Sequence, residues 1–183
     1  GKQLFTFHLD GENVYGIAVS NDGTKIAIAA EFKTYCFSTV TGKLIFKTTE
    51  HGGINNGLIF SPDDKTIYVG DEGLWEFDAT TGRSDNKLFG NGSGSGKFFY
   101  IDNNTKLVVP GGEGWEVYDM QKKEKLYGYG TDELTYLNAM PEQGYIIAGR
   151  NYKGVKIFDV RTGKGIKQLS ANAYDPVVIP SAN

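Results

Sequence analysis

Four kinds of feature in this 183-residue chain hold residue types that could do chemistry. Gly92-Ser93-Gly94-Ser95-Gly96-Lys97 has the glycines and the lysine of a phosphate-binding loop. Such a loop needs a leading glycine, a Ser or Thr after the lysine to meet magnesium, and a following helix whose N-terminal amides face the anion. Asn91 occupies the leading position, Phe98 follows the lysine, and Phe98–Ile101 reads as a strand, so the stretch is expected to be a connector. The acidic groups Asp22, Asp63-Asp64 and Asp102-Asn103-Asn104 suggest calcium, yet none has the alternating oxygen spacing of a calcium loop and each sits in a turn sequence. His8 and His51 are the only histidines. With no Gly-x-Ser-x-Gly elbow to present a nucleophile, neither has a triad to serve. Trp75-Glu76-Phe77-Asp78 sets an indole beside two carboxylates, a grouping that could do acid–base work.

That last stretch loses its catalytic look once the rest of the chain is laid beside it. Phe77-Asp78 followed by Thr81-Gly82 returns as Phe158-Asp159 followed by Thr162-Gly163. It returns more loosely as Tyr118-Asp119, and as Phe37-Ser38 before Thr41-Gly42. Gly1, Gly42, Gly82, Lys123 and Gly163 align at spacings of 41, 40, 41 and 40 residues. A fixed period near 40 marks a propeller, in which each repeat makes one four-stranded blade. A catalytic residue is needed once, whereas Asp78, Asp119 and Asp159 come once per repeat. They are therefore expected to accept hydrogen bonds in the turn entering each fourth strand. Glu76 stands where other repeats have Cys36, Val117 and Ile157. A bulge turning it outward is expected, because burying an unpaired carboxylate is costly.

Every repeat parses into the same strands. First runs are Ile17–Val19, Leu58–Phe60, Phe98–Ile101 and Tyr136–Ala139, and second runs are Ile26–Ile28, Ile67–Val69, Leu107–Val109 and Tyr145–Ala148. Between them lie Asn, Asp, Gly and Pro residues suited to hairpins. Runs so apolar fit strands buried on both faces. The fold is expected to be all-β, a β-propeller of four-stranded antiparallel blades forming one propeller segment over 1–183. Its blades run roughly 11–50, 51–91, 92–131 and 132–172. Residues 1–10 read as the fourth strand of a preceding blade, and 173–183 as the first strand of a following one. The expectation is an excerpt of a larger propeller of six to eight blades; were the chain whole, its open blade edges would predict self-association.

Composition narrows the classes of function. There are 11 Phe, 11 Tyr and 25 Gly, which suits short strands and tight turns. A net charge of -3 with interspersed signs lacks the basic stripe of a nucleic-acid binder. No run approaches the roughly 18 apolar residues of a membrane helix. The single cysteine, Cys36, excludes an internal disulfide and a four-thiolate zinc site, and fits a small buried hydrophobe in a reducing compartment. Asn91-Gly92-Ser93 and Asn103-Asn104-Thr105 match the glycosylation pattern, which occurs near chance in so Asn-rich a chain.

The second repeat carries a family likeness: His51, then Phe60-Ser61-Pro62-Asp63-Asp64-Lys65, then Phe77-Asp78, then Thr81-Gly82-Arg83. This pattern resembles the WD40 repeat, with Phe or Tyr in place of the tryptophan of Trp-Asp throughout. Quinoprotein-like and YVTN propellers are neighbours with similar turns. The resemblance implies a blade-locking network in which His51 pairs with Asp71, and Asp78, Asp119 and Asp159 close the third strands. It also implies a scaffold that docks other proteins, within a large assembly, and performs no chemistry. No catalytic, cofactor or metal residues are assigned. The partner-binding candidates are rim residues with hot-spot side chains, Phe32, Arg150 and Tyr152. A propeller enzyme or cofactor-binding domain, quinoprotein-like or lactonase-like, and a structural subunit of a filament or surface assembly are the competing readings.

Overall fold

A computed structural model describes residues 1–9, 11–48, 57–71, 73–84, 87–89, 97–111, 114–130, 136–150 and 154–169. The chain forms two compact units, Gly1–Asn91 and Gly92–Asn183. Each holds two four-stranded antiparallel sheets. In the first unit, blade 1 comprises β1 (Val14–Val19), β2 (Lys25–Ala30), β3 (Thr34–Ser38) and β4 (Leu44–Lys47). Blade 2 comprises β5 (Gly57–Phe60), β6 (Thr66–Asp71), β7 (Gly73–Asp78) and β8 (Lys87–Phe89). The second unit holds blade 3, made of β9 (Phe99–Ile101), β10 (Lys106–Gly111), β11 (Gly114–Asp119) and β12 (Glu124–Gly130). Its blade 4 is β13 (Tyr136–Met140), β14 (Tyr145–Arg150), β15 (Gly154–Asp159) and β16 (Gly165–Leu169), with a 3₁₀ turn at Pro141–Gln143. Strands follow one another in chain order across every sheet, as tight hairpins dictate.

One packing rule holds inside each unit. In the first, Ala27, Ala29 and Cys36 of blade 1 pack against Leu58, Phe60, Ile67, Val69 and Phe77 of blade 2. In the second, Val108, Trp115 and Val117 of blade 3 pack against Leu137, Ile146, Ala148 and Phe158 of blade 4. One face of a blade thus covers the opposite face of the next. Both faces of the middle strands are needed, and for this reason those strands read as unbroken apolar runs. Each large side chain sealed this way contributes about 1.5–3 kcal/mol.

A second contact fastens each of three turns to the segment or blade before it. The Thr-Gly turn glycines have positive φ: +70° at Gly42, +69° at Gly82 and +66° at Gly163. An aromatic ring lies directly on each one: Phe5 on Gly42, Phe46 on Gly82 and Tyr129 on Gly163. A Cβ at any of the three would land inside the ring. Glycine is required twice over, for the backbone conformation and for the space. Tyr129 also donates its hydroxyl to the Arg161 carbonyl at 3.0 Å.

Gly1–Leu9 makes no strand, contrary to the expectation of a fourth strand. A fourth strand gains its ladder from a third strand beside it, and none of the described strands pairs with this segment. Its side chains nevertheless do a fourth strand's work: Phe7 and Leu9 pack on Ile28, Ala30, Tyr35 and Phe37 of blade 1. The Phe7 and Phe37 ring centres are 4.6 Å apart.

Glu76 differs from expectation as well. The β6–β7 register runs unbroken through it, with Tyr68 opposite Glu76 and Val69 opposite Trp75. The irregularity lies on the β8 side, between Leu74 and Trp75. Blades 1, 3 and 4 place theirs two residues later in the phrase, between Cys36 and Phe37, Val117 and Tyr118, and Ile157 and Phe158. Ordinary strand alternation puts Trp75 on the core face shared with Phe77 and Glu76 on the other. The carboxylate is half-buried there, beside Tyr68.

Candidate functional site

The aspartates of the repeated phrase sit in their turns. Asp78 Oδ1 accepts from the Thr80 amide at 2.9 Å, the Thr81 amide at 2.7 Å and the Thr81 hydroxyl at 2.9 Å. Asp159 Oδ1 accepts the same set from Arg161 and Thr162, at 3.0, 2.8 and 2.9 Å. Asp119 takes the amides of Gln121 and Lys122, both at 3.0 Å. These donors favour the charged form and hold all three carboxyls below the usual range: chiefly the Thr81 amide at Asp78, the Lys122 amide at Asp119 and the Thr162 hydroxyl at Asp159. Asp71 ends β6 opposite Gly73. His51 lies outside the described residues, as do its pairing with Asp71 and the Gly92–Gly96 stretch.

The acidic groups weighed as calcium ligands are also engaged. Ser20 Oγ donates to Asp22 Oδ1 at 2.6 Å and accepts the Lys25 amide at 2.9 Å. Ser61 and Asp63 repeat this at 2.7 Å, with the Thr66 amide at 2.9 Å. The Ser20 hydroxyl and the Thr24 donors hold the Asp22 carboxyl at about 2. Asp64 instead reaches across to blade 1, taking the Asn21 amide and side chain at 2.8 Å and the Asp22 amide at 2.9 Å. Asp102 bonds Lys106 at 2.5 Å and Arg161 at 2.9 Å. Cys36 lies fully buried in the blade 1–blade 2 core, where desolvation pushes its thiol up to about 11.

The described part of the rim is built around the β2–β3 turn. The Ala30 amide closes this turn on the Lys33 carbonyl at 2.9 Å. Phe32 stands at its tip, 44% exposed. The flanks are tied down from the segment before β1. Lys33 Nζ meets Glu12 Oε1 at 2.7 Å, both side chains mostly buried, and Asn13 Nδ2 donates to Glu31 Oε1 at 2.6 Å. The Tyr35 hydroxyl approaches the same Glu12 oxygen at 3.4 Å. An aromatic side chain is thus held out to solvent on a turn braced at both shoulders. Asn13 and Glu31 belong to no motif; the sequence separates them by 18 positions and only the hairpin brings them together. Arg150 is the last residue of β14, its side chain outside the described set, and Tyr152 lies outside it altogether. His8 is exposed.

No protein-family model matches the chain, and no curated protein matches it in sequence. Solved structures do. The chain is similar to hydrazine synthase of Kuenenia stuttgartiensis, with a TM-score of 0.74 and 15% identity over 91% of this chain. It spans about half the length of that chain, 51%. It is also similar to the computationally designed Ika4 protein, with a TM-score of 0.70 and 17% identity, covering 87% of this chain and 99% of that one. Identities this low carry the fold alone. Four-stranded antiparallel blades that match propeller structures make this an all-β chain of propeller blades.

Proposed function

We propose that this chain is a non-enzymatic docking scaffold, a divergent WD40-like propeller segment that binds other proteins through its loop rim. The observation that carries this reading is Phe32, exposed on a turn fixed by the Lys33–Glu12 and Asn13–Glu31 contacts. An exposed aromatic gains most from association when its turn is already ordered, because little conformational entropy remains to be lost. The reading is also supported by the turn aspartates, whose hydrogen bonds are spent on the scaffold's own backbone. Arg150 and Tyr152 are proposed to extend the same rim chemistry.

The test is capture with the immobilised chain, identification of the retained protein, and titration of that protein by calorimetry. Phe32→Ala is expected to weaken the measured affinity by about tenfold or more, a loss of about 1.4 kcal/mol, with an unchanged circular-dichroism spectrum. An affinity indifferent to Phe32→Ala, Arg150→Ala and Tyr152→Ala together would remove the rim assignment. A stoichiometric metal or a cofactor absorption band in the purified chain would favour the enzyme reading instead.

A further inference from the structure

The hairpins that join first to second strands close through matching amides in all four blades. Gly23 donates to Ser20, Asp64 to Ser61, Thr105 to Asp102 and Gly144 to Pro141, at 2.9, 3.0, 3.2 and 3.2 Å. This alignment sets Asn103 of blade 3 where blade 1 has Asn21, and Gly144 of blade 4 where blade 2 has Asp64. Asp64 and Gly144 also share a left-handed backbone, with φ +57° and +70°.

In the first unit these turns are tied together. Asn21 gives its backbone amide and its side chain to Asp64 Oδ1, both at 2.8 Å, and the Asp22 amide meets Oδ2 at 2.9 Å. In the second unit the acidic side chain is missing. A Cβ at Gly144 would meet only Val160 Cγ1, at 3.9 Å. Asn103 makes no hydrogen bond among the described residues, and it lines a cleft of about 570 Å³ with Asn104, Glu142 and Arg161. Arg161 follows Asp159 by two positions, where blade 2 has the neutral Thr80 after Asp78. Its side chain is 69% exposed and gives only Nη2 to Asp102, at 2.9 Å. Nη1 and Nε have no acceptor among the described residues. The other Asp102 oxygen takes Lys106, so that carboxylate already meets two cations.

We infer that the cleft between blades 3 and 4 takes up a carboxylate from a partner protein, an aspartate or glutamate side chain seated on Asn103 and the unengaged edge of Arg161. The fold fills the matching place in the first unit with a carboxylate of its own. In the second unit it withdraws that carboxylate and adds a cation. Carboxamide and guanidinium both donate to a carboxylate, the guanidinium through a fork that fits two oxygens. Glu142, unpaired among the described residues, sets a negative charge in the same cleft. It disfavours a phosphate dianion more than a single carboxylate. The inference goes beyond the rim reading and uses a different kind of turn, since Phe32 stands between a second and a third strand.

The experiment titrates the isotope-labelled 183-residue chain by NMR with a capped pentapeptide of glycine and serine carrying one central glutamate. The same peptide with glutamine, and inorganic phosphate, run beside it, and the Asn103 carboxamide and Arg161 Nε–H resonances are read. The glutamate peptide is expected to shift both saturably, the glutamine peptide to leave them in place, and phosphate to bind at least about tenfold more weakly. Gly144→Asp should rebuild the internal tie and weaken the glutamate peptide at least about tenfold, and Arg161→Gln should do the same by removing the cation, both chains melting cooperatively. The inference is overturned by unmoved Asn103 and Arg161 resonances, by a glutamine peptide or phosphate that binds as well, or by an affinity indifferent to both variants. Phe32→Ala should leave this titration unchanged, so failure here and failure of the rim reading are told apart.

Discussion

Ile17 of β1 and Leu58 of β5 stand one repeat apart, in first strands of the same kind, on the same face of their sheets. Ile17 is 60% exposed and Leu58 is 8% exposed. Val19 and Phe60 repeat the contrast. Neither the side chains nor the strand pairing separates the two sites, since both pair with a buried isoleucine or valine of the second strand. The difference lies beyond the sheet. Blade 2 has Ala18, Ala27, Ala29 and Cys36 of blade 1 against it, whereas Phe7 and Leu9 pack over β2 and β3 of blade 1 and Ile17 and Val19 of β1 stay exposed. Burial in a repeat fold is a property of the interface between repeats more than of the repeat, as the nearest-neighbour view of such folds requires.

The largest effect expected from this contrast is on stability. Leu58→Ala should cost about 2–5 kcal/mol, the range for emptying a packed core site. Leu58 lies so close to blade 1 that a Cβ added to Gly16 would come within 2.9 Å of its Cδ2, so the emptied site has little room to be refilled. Ile17→Ala, measured by denaturant unfolding at a concentration where the chain is monomeric, should fall within about 0.5 kcal/mol of wild type. Equal losses at the two sites would mean that Ile17 is covered in solution.

A smaller effect separates two glycines of similar backbone. Gly23 (φ +71°) has open space where a Cβ would go, while Gly82 (φ +69°) has the Phe46 ring there. Gly23→Ala should carry only the left-handed penalty of about 1–2 kcal/mol. Gly82→Ala should lose distinctly more, and the excess should vanish when the same substitution is made in a Phe46→Ala background. A persisting excess would place the strain in the backbone rather than in the blade-to-blade contact.

The smallest effect is electrostatic and should have the same sign in both blades. Asp22 and Asp63 occupy matching Ser-x-Asp turns, and hydrogen bonds from Ser20 and Ser61 lead in lowering their carboxyls, Asp22 to about 2. A group depressed on folding stabilises fully above its unfolded value near 3.9 and loses that contribution as pH falls through the folded value. Melting temperature should therefore decline from just below pH 4 toward pH 2. Asp22→Asn and Asp63→Asn should each shallow the slope. A slope unaffected by both would assign the acid transition to other carboxylates.

The four blades were legible in the sequence because the phrase ending in Phe77-Asp78 and Thr81-Gly82 is set by local demands: a strand, a carboxylate for the turn amides and a left-handed glycine. Such demands leave similar letters at most repeats, with Ser38 and Lys123 the departures. The Phe5, Phe46 and Tyr129 fastening was not legible, because each ring serves a glycine 37, 36 or 34 positions further on. Loops of unequal length blur that interval. The strand expected over 1–9 failed for a related reason. An apolar pattern specifies which side chains pack, but a ladder also needs a paired strand. In the rim, Phe32 could be picked out as an aromatic between two strands. The brace made by Glu12, Asn13, Glu31 and Lys33 depends on the hairpin bringing together residues 18 to 21 apart.

The ring-on-glycine fastening gives the array a polarity. Within each unit the knob is the trailing ring of one blade and the socket is the turn glycine of the next, Phe46 on Gly82 and Tyr129 on Gly163. Lys123 stands at the corresponding turn of blade 3, so the socket belongs to the contact and not to every repeat. A blade put in place of blade 2 or blade 4 would keep the fastening only by bringing a glycine to that turn.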